Sequence, residues 1–242
     1  MGKTIRLDKY LADMGCGTRT QVKQMIRKGQ VWINEEVVKK PEQKVNLQED
    51  QVLVDGKPLR YEKYRYLILH KPAGCVSATK DTKEKTVLEF LPEELRKDLF
   101  PVGRLDKDTE GLLLLTNDGD LAHRLLSPKK HVDKTYYAKV AGQVDAKDQQ
   151  AFLEGVDIGD EDLTLPAKLE ILKSDEISEI LLTIQEGRFH QVKRMFEARE
   201  KKVLYLKRLA MGPIQLEESL EPGAFRFLSE EECRALGIEL EV

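Results

Sequence analysis

The sequence predicts an α+β protein in two parts: a small module over residues 1–60 and a larger domain over 66–242, joined by a linker at 61–65. Two amphipathic helical stretches and several short strands fill the first part, and strands and helices are interspersed through the second. Charge divides at the same place. Residues 1–60 hold 12 Lys and Arg against 8 Asp and Glu, and the remainder 28 against 35, so a net of +4 precedes a net of −7. Pro58 to Arg65 is polar and charged, a composition suited to a connection.

Hydrophobic residues at 40% and charged residues at 34% describe a soluble globular protein with a heavily charged surface. No apolar run approaches the roughly 18 residues of a membrane span, and Met1 to Lys9 carries no signal-peptide core. Cys16, Cys75 and Cys233 are far apart and odd in number, so free thiols in a reducing cytoplasm are expected. There is no Walker loop and no dinucleotide fingerprint. Thr116 to Asp120 is rich in oxygen ligands but lacks the spacing of a calcium loop. Neither a metal nor a cofactor is expected.

In the first module, Leu7, Tyr10, Leu11 and Met14 recur at helical spacing, and Gly15 and Gly17 end that helix. Thr18 with Gln21 forms a capping box for a second helix, which turns Val22, Met25 and Ile26 inward and stops at Gly29. Arg19, Lys23, Arg27 and Lys28 are left outside as a basic stripe. Alone, such a stripe is equally a solvated helix face; on a locally positive module it also suits a polyanion. Short strands follow at Gln30 to Ile33, Glu36 to Val38 and Gln51 to Val54, the last closed by an Asp55-Gly56 turn.

In the second domain, Tyr66 to Leu69 is a strand broken by Lys71-Pro72-Ala73-Gly74, a turn able to set a cation at a pocket rim. Helical pieces surround Pro92. Val102 to Gly111 has a glycine near each end and no periodicity between them, and the leucines 112–115 then enter a core. A reactive side chain on such a loop is mobile on a rigid support. Arg104 and Asp106, two residues apart, would face the same way in an extended segment and form an ion pair. A helix from Asn117-Asp118-Gly119 runs to Leu126 with its stop at Pro128; His123 and His131 match no triad spacing. Thr135 to Val140 alternates like a strand and turns Tyr136 inward.

Ala146 to Glu154 is helical, and Ala167 to Leu172, Ile180 to Ile184 and Val203 to Leu206 read as strands. Arg188, His190, Lys193 and Arg194 crowd the start of the helix that opens at Gln191. Cations at a helix N-terminus are unfavourable unless anions lie beside them, so a phosphate or a carboxylate is expected there. Ser229 with Glu232 caps a short last helix that Gly237 closes.

Two resemblances join these observations. Arg6-Leu7-Asp8-Lys9-Tyr10-Leu11, Thr18-Arg19, Ile26-Arg27-Lys28-Gly29-Gln30-Val31 and Ile33-Asn34 resemble an S4 domain, which implies RNA binding through Arg6, Arg19, Lys23, Arg27 and Lys28. Lys71-Pro72-x-Gly74, the Gly103-to-Leu115 stretch, Lys134-Thr135-Tyr136, Glu186 to Phe196 and Leu206-x-Arg208-x-x-x-Gly212 resemble, in order, the RsuA family of pseudouridine synthases. That resemblance implies a mixed, largely antiparallel sheet with flanking helices and no cofactor or metal. It implies catalytic roles for Asp106, Tyr136 and Lys193 and RNA contacts for Arg104, Arg188 and Arg208. It further implies a monomer acting on 16S rRNA, with uridine 516 as the family's namesake target, in an assembling small subunit. A 23S uridine, or a non-catalytic rRNA-binding role, are the alternatives. The chemistry needs no redox step and no energy input. One carboxylate suffices, attacking the nucleotide or acting as a base on the ribose. Asp106-Lys107-Asp108-Thr109 superficially resembles a haloacid-dehalogenase signature, but the threonine falls one position early and Gly103-Arg104 stands where an apolar strand is needed.

Overall fold

The computed structural model describes residues 4–59, 61, 64–127 and 130–239. The chain divides into two compact units, Met1–Arg65 with Pro92–Lys97, and Tyr66–Leu91 with Asp98–Val242.

In the first unit β1 (Thr4–Arg6) leads into α1 (Leu7–Asp13) and α2 (Arg19–Arg27). The Thr18 capping box is formed in both directions, with the Gln21 side-chain oxygen accepting from the Thr18 amide at 2.7 Å. Strands β2 (Val31–Ile33), β3 (Glu36–Val37), β4 (Lys44–Asn46), β5 (Val52–Val54) and β6 (Lys57–Leu59) follow. They pair in the order β3-β2-β5-β6, and β1 pairs with β4. Leu7, Leu11, Val22 and Ile26 of the helices meet Val31, Val45 and Val52 in one core. Strands β1, β4 and β6 are three residues each, too short to display period two in sequence. Strand β6 lies at a sheet edge, where Pro58 is tolerated without an amide hydrogen.

Two expectations are corrected at the boundary. Residues 92–97 pack with the first unit: the Lys97 ammonium reaches the Ala12 carbonyl and the Asp13 carboxylate, each at 3.2 Å. Arg65, expected in a solvated linker, is buried and donates to the carbonyls of Leu95 and Lys97. Linker residues 62 and 63 lie outside the described residues.

The second unit contains β7 (Tyr66–Lys71), β8 (Phe100–Pro101), β9 (Glu110–Thr116), α3 (Gly119–Leu126), β10 (Lys134–Ala141) and α4 (Ala146–Glu154). It continues with β11 (Lys168–Lys173), β12 (Ile177–Ile184), α5 (Gln191–Glu197), β13 (Lys202–Met211), β14 (Ile214–Gln215), β15 (Phe225–Phe227) and α6 (Glu230–Ala235). The helical pieces expected around Pro92 are single 3-10 turns at Val87–Phe90 and Glu93–Leu95. Asp118 caps α3 through the amides of Asp120 and Leu121; the stop expected at Pro128 lies outside the described residues. The sheet runs β11-β12-β10-β13-β9-β7-β15, with β8 added to β9 and β14 to β13. Among the described residues only the β13–β9 strand pair is parallel, so the sheet is mixed and largely antiparallel as expected.

Ile68, Leu112 and Leu114 share a core with Leu121, Leu125, Cys233 and Leu236 of α3 and the α6 region. The alternate residues Leu67, Leu69, Leu113 and Leu115 are buried as well. Burial of both faces explains why β7 and β9 read as continuous apolar runs instead of alternating ones. At the start of β9, Gly111 lies beside Arg208, which in turn lies beside Tyr136 of β10. Gly111 has φ +109°, and a Cβ on it would sit 2.2 Å from the Arg208 carbonyl oxygen. That close approach, open only to glycine, brings the loop before β9 to the row containing Tyr136. Among the described residues no helix is long and apolar enough to cross a membrane.

Candidate active site

The loop from Gly103 to Thr109 is pinned, contrary to the mobile connection the sequence predicts. Lys71, at the end of β7, is fully buried. Its ammonium donates to the carbonyls of Thr109 at 2.8 Å, Asp106 at 3.0 Å, Pro72 at 3.1 Å and Lys107 at 3.3 Å. The Gly74 amide adds a bond to the Lys107 carbonyl at 2.7 Å. Ser77 exchanges two bonds with the Leu105 backbone, at 2.9 and 3.0 Å. Lys71 therefore stands behind the loop and not at a pocket rim. Burial pulls its pKa down, and the nearby Cys75, Asp106 and Asp108 oppose that pull.

Held this way, Asp106 projects into an open cleft lined also by Tyr136, Arg104, His190, Gln191 and Lys193. Lys193, on the first turn of α5, places its ammonium 3.0 Å from one Asp106 oxygen; the His190 Nε2 is 3.6 Å from the other. Lys193 also contacts Asp108 at 2.6 Å. The Arg104–Asp106 pair expected from their spacing does not form. The hydrogen-bonded turn begins only at Asp106, closed by the Thr109 amide on the Asp106 carbonyl at 3.1 Å, and Arg104 lies before it in a stretch that is not a regular strand. Arg104 is exposed on the cleft and makes no hydrogen bond or ion pair among the described residues. Tyr136 is 7% exposed, on the inward face of β10 beside a register shift opposite Arg208. Such bulges re-aim side chains next to active sites.

The cations crowding the start of α5 are answered by the chain's own carboxylates. Lys193 has Asp106 and Asp108, while Arg188 and Arg194 share Asp160, and Arg188 also meets Glu186 at 3.0 Å. Arg188, expected to touch RNA, is committed further to the carbonyls of Asp162 and Leu163, so it ties the 160–163 loop to the cleft wall. Arg208 is a correction: it is 2% exposed and donates to the Leu112 carbonyl at 2.7 Å between β9 and β13. A long cation in a motif looks like a ligand contact, but here its neighbours are strands. Asp108 was legible only as a second acid on the same turn; that Lys193 bridges both acids depends on where α5 docks.

Burial lowers the pKa of Lys193, yet its bonds to Asp108 and Asp106 and their charges leave it raised overall. The Lys193 hydrogen bond holds the Asp108 carboxyl below the ordinary range. Removing Asp108 deletes a cause that raises the Lys193 pKa. Turnover that needs the charged ammonium then loses its alkaline limb at lower pH in Asp108→Ala than in wild type. Single-turnover rates measured across the alkaline range check this; an unmoved limb would separate Lys193 from the reaction.

Residues 65–198 match the family model described as RNA pseudouridylate synthase, and residues 5–52 match the S4 domain. The chain is 47% identical over 234 residues to an uncharacterized RNA pseudouridine synthase of Bacillus subtilis, covering 96% of this chain and 98% of that one. It is 43% identical to the ribosomal small subunit pseudouridine synthase A of Vibrio vulnificus, covering 94% and 97%. A crystal structure of a pseudouridylate synthase aligns with TM-score 0.68 at 42% identity, covering 96% of this chain and 99% of that chain.

Proposed function

As the chain belongs to the RNA pseudouridylate synthase family, we propose that it converts a uridine of 16S rRNA to pseudouridine in the cytoplasm, acting as a monomer on the assembling small subunit. The observation that carries the site assignment is the Asp106 carboxylate held 3.0 Å from the Lys193 ammonium, in the cleft that Tyr136 lines. The reaction breaks N1–C1′, turns the uracil and joins C5 to C1′. A proton leaves C5 and one is taken up at N1, so the change is an isomerisation and consumes nothing. Asp106 works at the ribose with the Lys193 ammonium 3.0 Å away, and the Tyr136 ring takes the base while its hydroxyl serves the C5 proton.

A stacked uridine is out of reach of such a cleft and has to be everted, at a cost of a few kcal/mol. One aromatic stack returns about 1–3 kcal/mol, so contacts to the backbone are needed as well. Arg104, exposed beside Asp106, is suited to a phosphate of the everted nucleotide. In the S4 domain, Arg19, Arg27 and Lys28 are exposed, while Arg6 and Lys23 lean on the buried Asp8 at 3.0 and 4.0 Å. The free face is therefore made by the first three. Replacing them together with alanine lowers the slope of log affinity against log salt by about 2 to 3, at up to one released counterion each. An unchanged slope in filter binding would remove that face from the RNA interface.

Mapping tests the whole reading. Ribosomal RNA incubated with the protein, treated with carbodiimide and copied by reverse transcriptase should show a new stop on 16S rRNA, at uridine 516 if the namesake target is shared. A stop on 23S rRNA alone would move the substrate; no stop on either would refute the assignment.

A further inference from the structure

At the rim of the cleft the rings of Phe189 and His190 are stacked, with centroids 3.8 Å apart and planes inclined by 17°. Phe189 is 75% exposed, more than any other large hydrophobic side chain among the described residues. Leaving such a ring in water forgoes about 1.5–3 kcal/mol of burial. The backbone that presents it is built, not loose. His190 sits in the left-handed region at φ 49°, which non-glycine residues seldom adopt. The Arg194 guanidinium, itself paired with Asp160, donates to the Phe189 carbonyl at 3.0 Å. The Gln191 side chain accepts from the Arg188 amide at 2.9 Å.

These rings continue the site. His190 is the third group around Asp106, at 3.6 Å, and Phe189 covers its ring, which leaves the far face of Phe189 to solvent. The 3.8 Å spacing is close to the about 3.4 Å rise between bases along a strand. Arg104 offers an unpaired cation on the same cleft.

We propose that Phe189, backed by His190, is a stacking platform for an unpaired base of the RNA, the neighbour of the everted uridine. This rests on reading the Asp106 cleft as the uridine site. The platform lies one ring beyond a residue touching Asp106, which favours an adjoining nucleotide over a protein partner. Stacking of this kind tolerates any base, so the platform contributes affinity and orientation and not sequence choice.

The test uses the full chain in an Asp106→Asn background, so that binding is read without turnover. Phe189→Ala should weaken filter binding of a 16S rRNA transcript about fivefold or more. It should also abolish the quenching of a 2-aminopurine placed within an oligouridylate. Phe189→Trp should keep both. Because the side chain is exposed, Phe189→Ala should melt with its parent. Retained quenching or unchanged affinity in Phe189→Ala, or no quenching by the parent, overturns the platform. Turnover retained by Asp106→Asn in the otherwise wild-type protein would count against the Asp106 reading instead, so the two readings fail separately.

Discussion

Asp106→Asn should lower pseudouridine formation by about 10⁴-fold or more, the scale seen when a reacting group is removed while its surroundings remain. The amide is nearly isosteric but holds no negative charge, so it neither attacks carbon nor accepts a proton at neutral pH. Lys193 keeps a partner, because Asp108 stays 2.6 Å from its ammonium. The Asp106 backbone keeps its anchor, because Lys71 holds the carbonyl and not the side chain. Stability and RNA affinity should therefore change little, and only the chemical step should fail. Single-turnover release of tritium from C5-labelled uridine RNA reads this directly. A variant within tenfold of wild type would mean that another group does the chemistry.

Lys71→Met should cost more in turnover than in stability. Four carbonyls converge on the Lys71 ammonium, but those of Asp106 and Lys107 have second donors in the Thr109 and Gly74 amides. The Thr109 carbonyl is the one most dependent on it, so one buried acceptor is left short, a loss of about 1–3 kcal/mol. Burying an ammonium is itself costly, and methionine relieves that, which offsets part of the loss. Position is less forgiving, since a displacement of about 1 Å at a reacting group lowers rates about 10²-fold. The expected result is a folded protein with kcat down about 10²-fold and nearly unchanged KM, because the exposed RNA face is untouched. A kcat within threefold of wild type would show that Ser77 and the Gly74 amide hold the loop without Lys71.

Much of the chain is legible in its residues because the signals are local. The Thr18, Asp118 and Ser229 caps form where the side chains stand beside the amides they bind. Alternation along β10 assigns Tyr136 inward without reference to any other strand. The crowd of cations at α5 demanded anions, and the fold supplies them. Strands β1, β4, β6, β8, β14 and β15 escaped notice because two or three residues hold no period; they exist through their partners.

The roles of Asp106, Tyr136 and Lys193, and the pairing of Lys193 with Asp106, are expectations from the family resemblance; the pair stands at 3.0 Å. The packing that brings these residues together is not in their local pattern. The parallel contact of Gly111 with Arg208, the burial of Lys71 under the loop and the docking of α5 over Asp108 join segments tens of residues apart. The same long-range packing turned Arg208 and Arg65 from apparent surface cations into interior donors. A side chain's type and near neighbours set what it is able to do; which distant carbonyl or carboxylate it meets is decided when strands pair and helices dock, because the energies that choose among partners depend on distance and burial, which the linear chain does not contain.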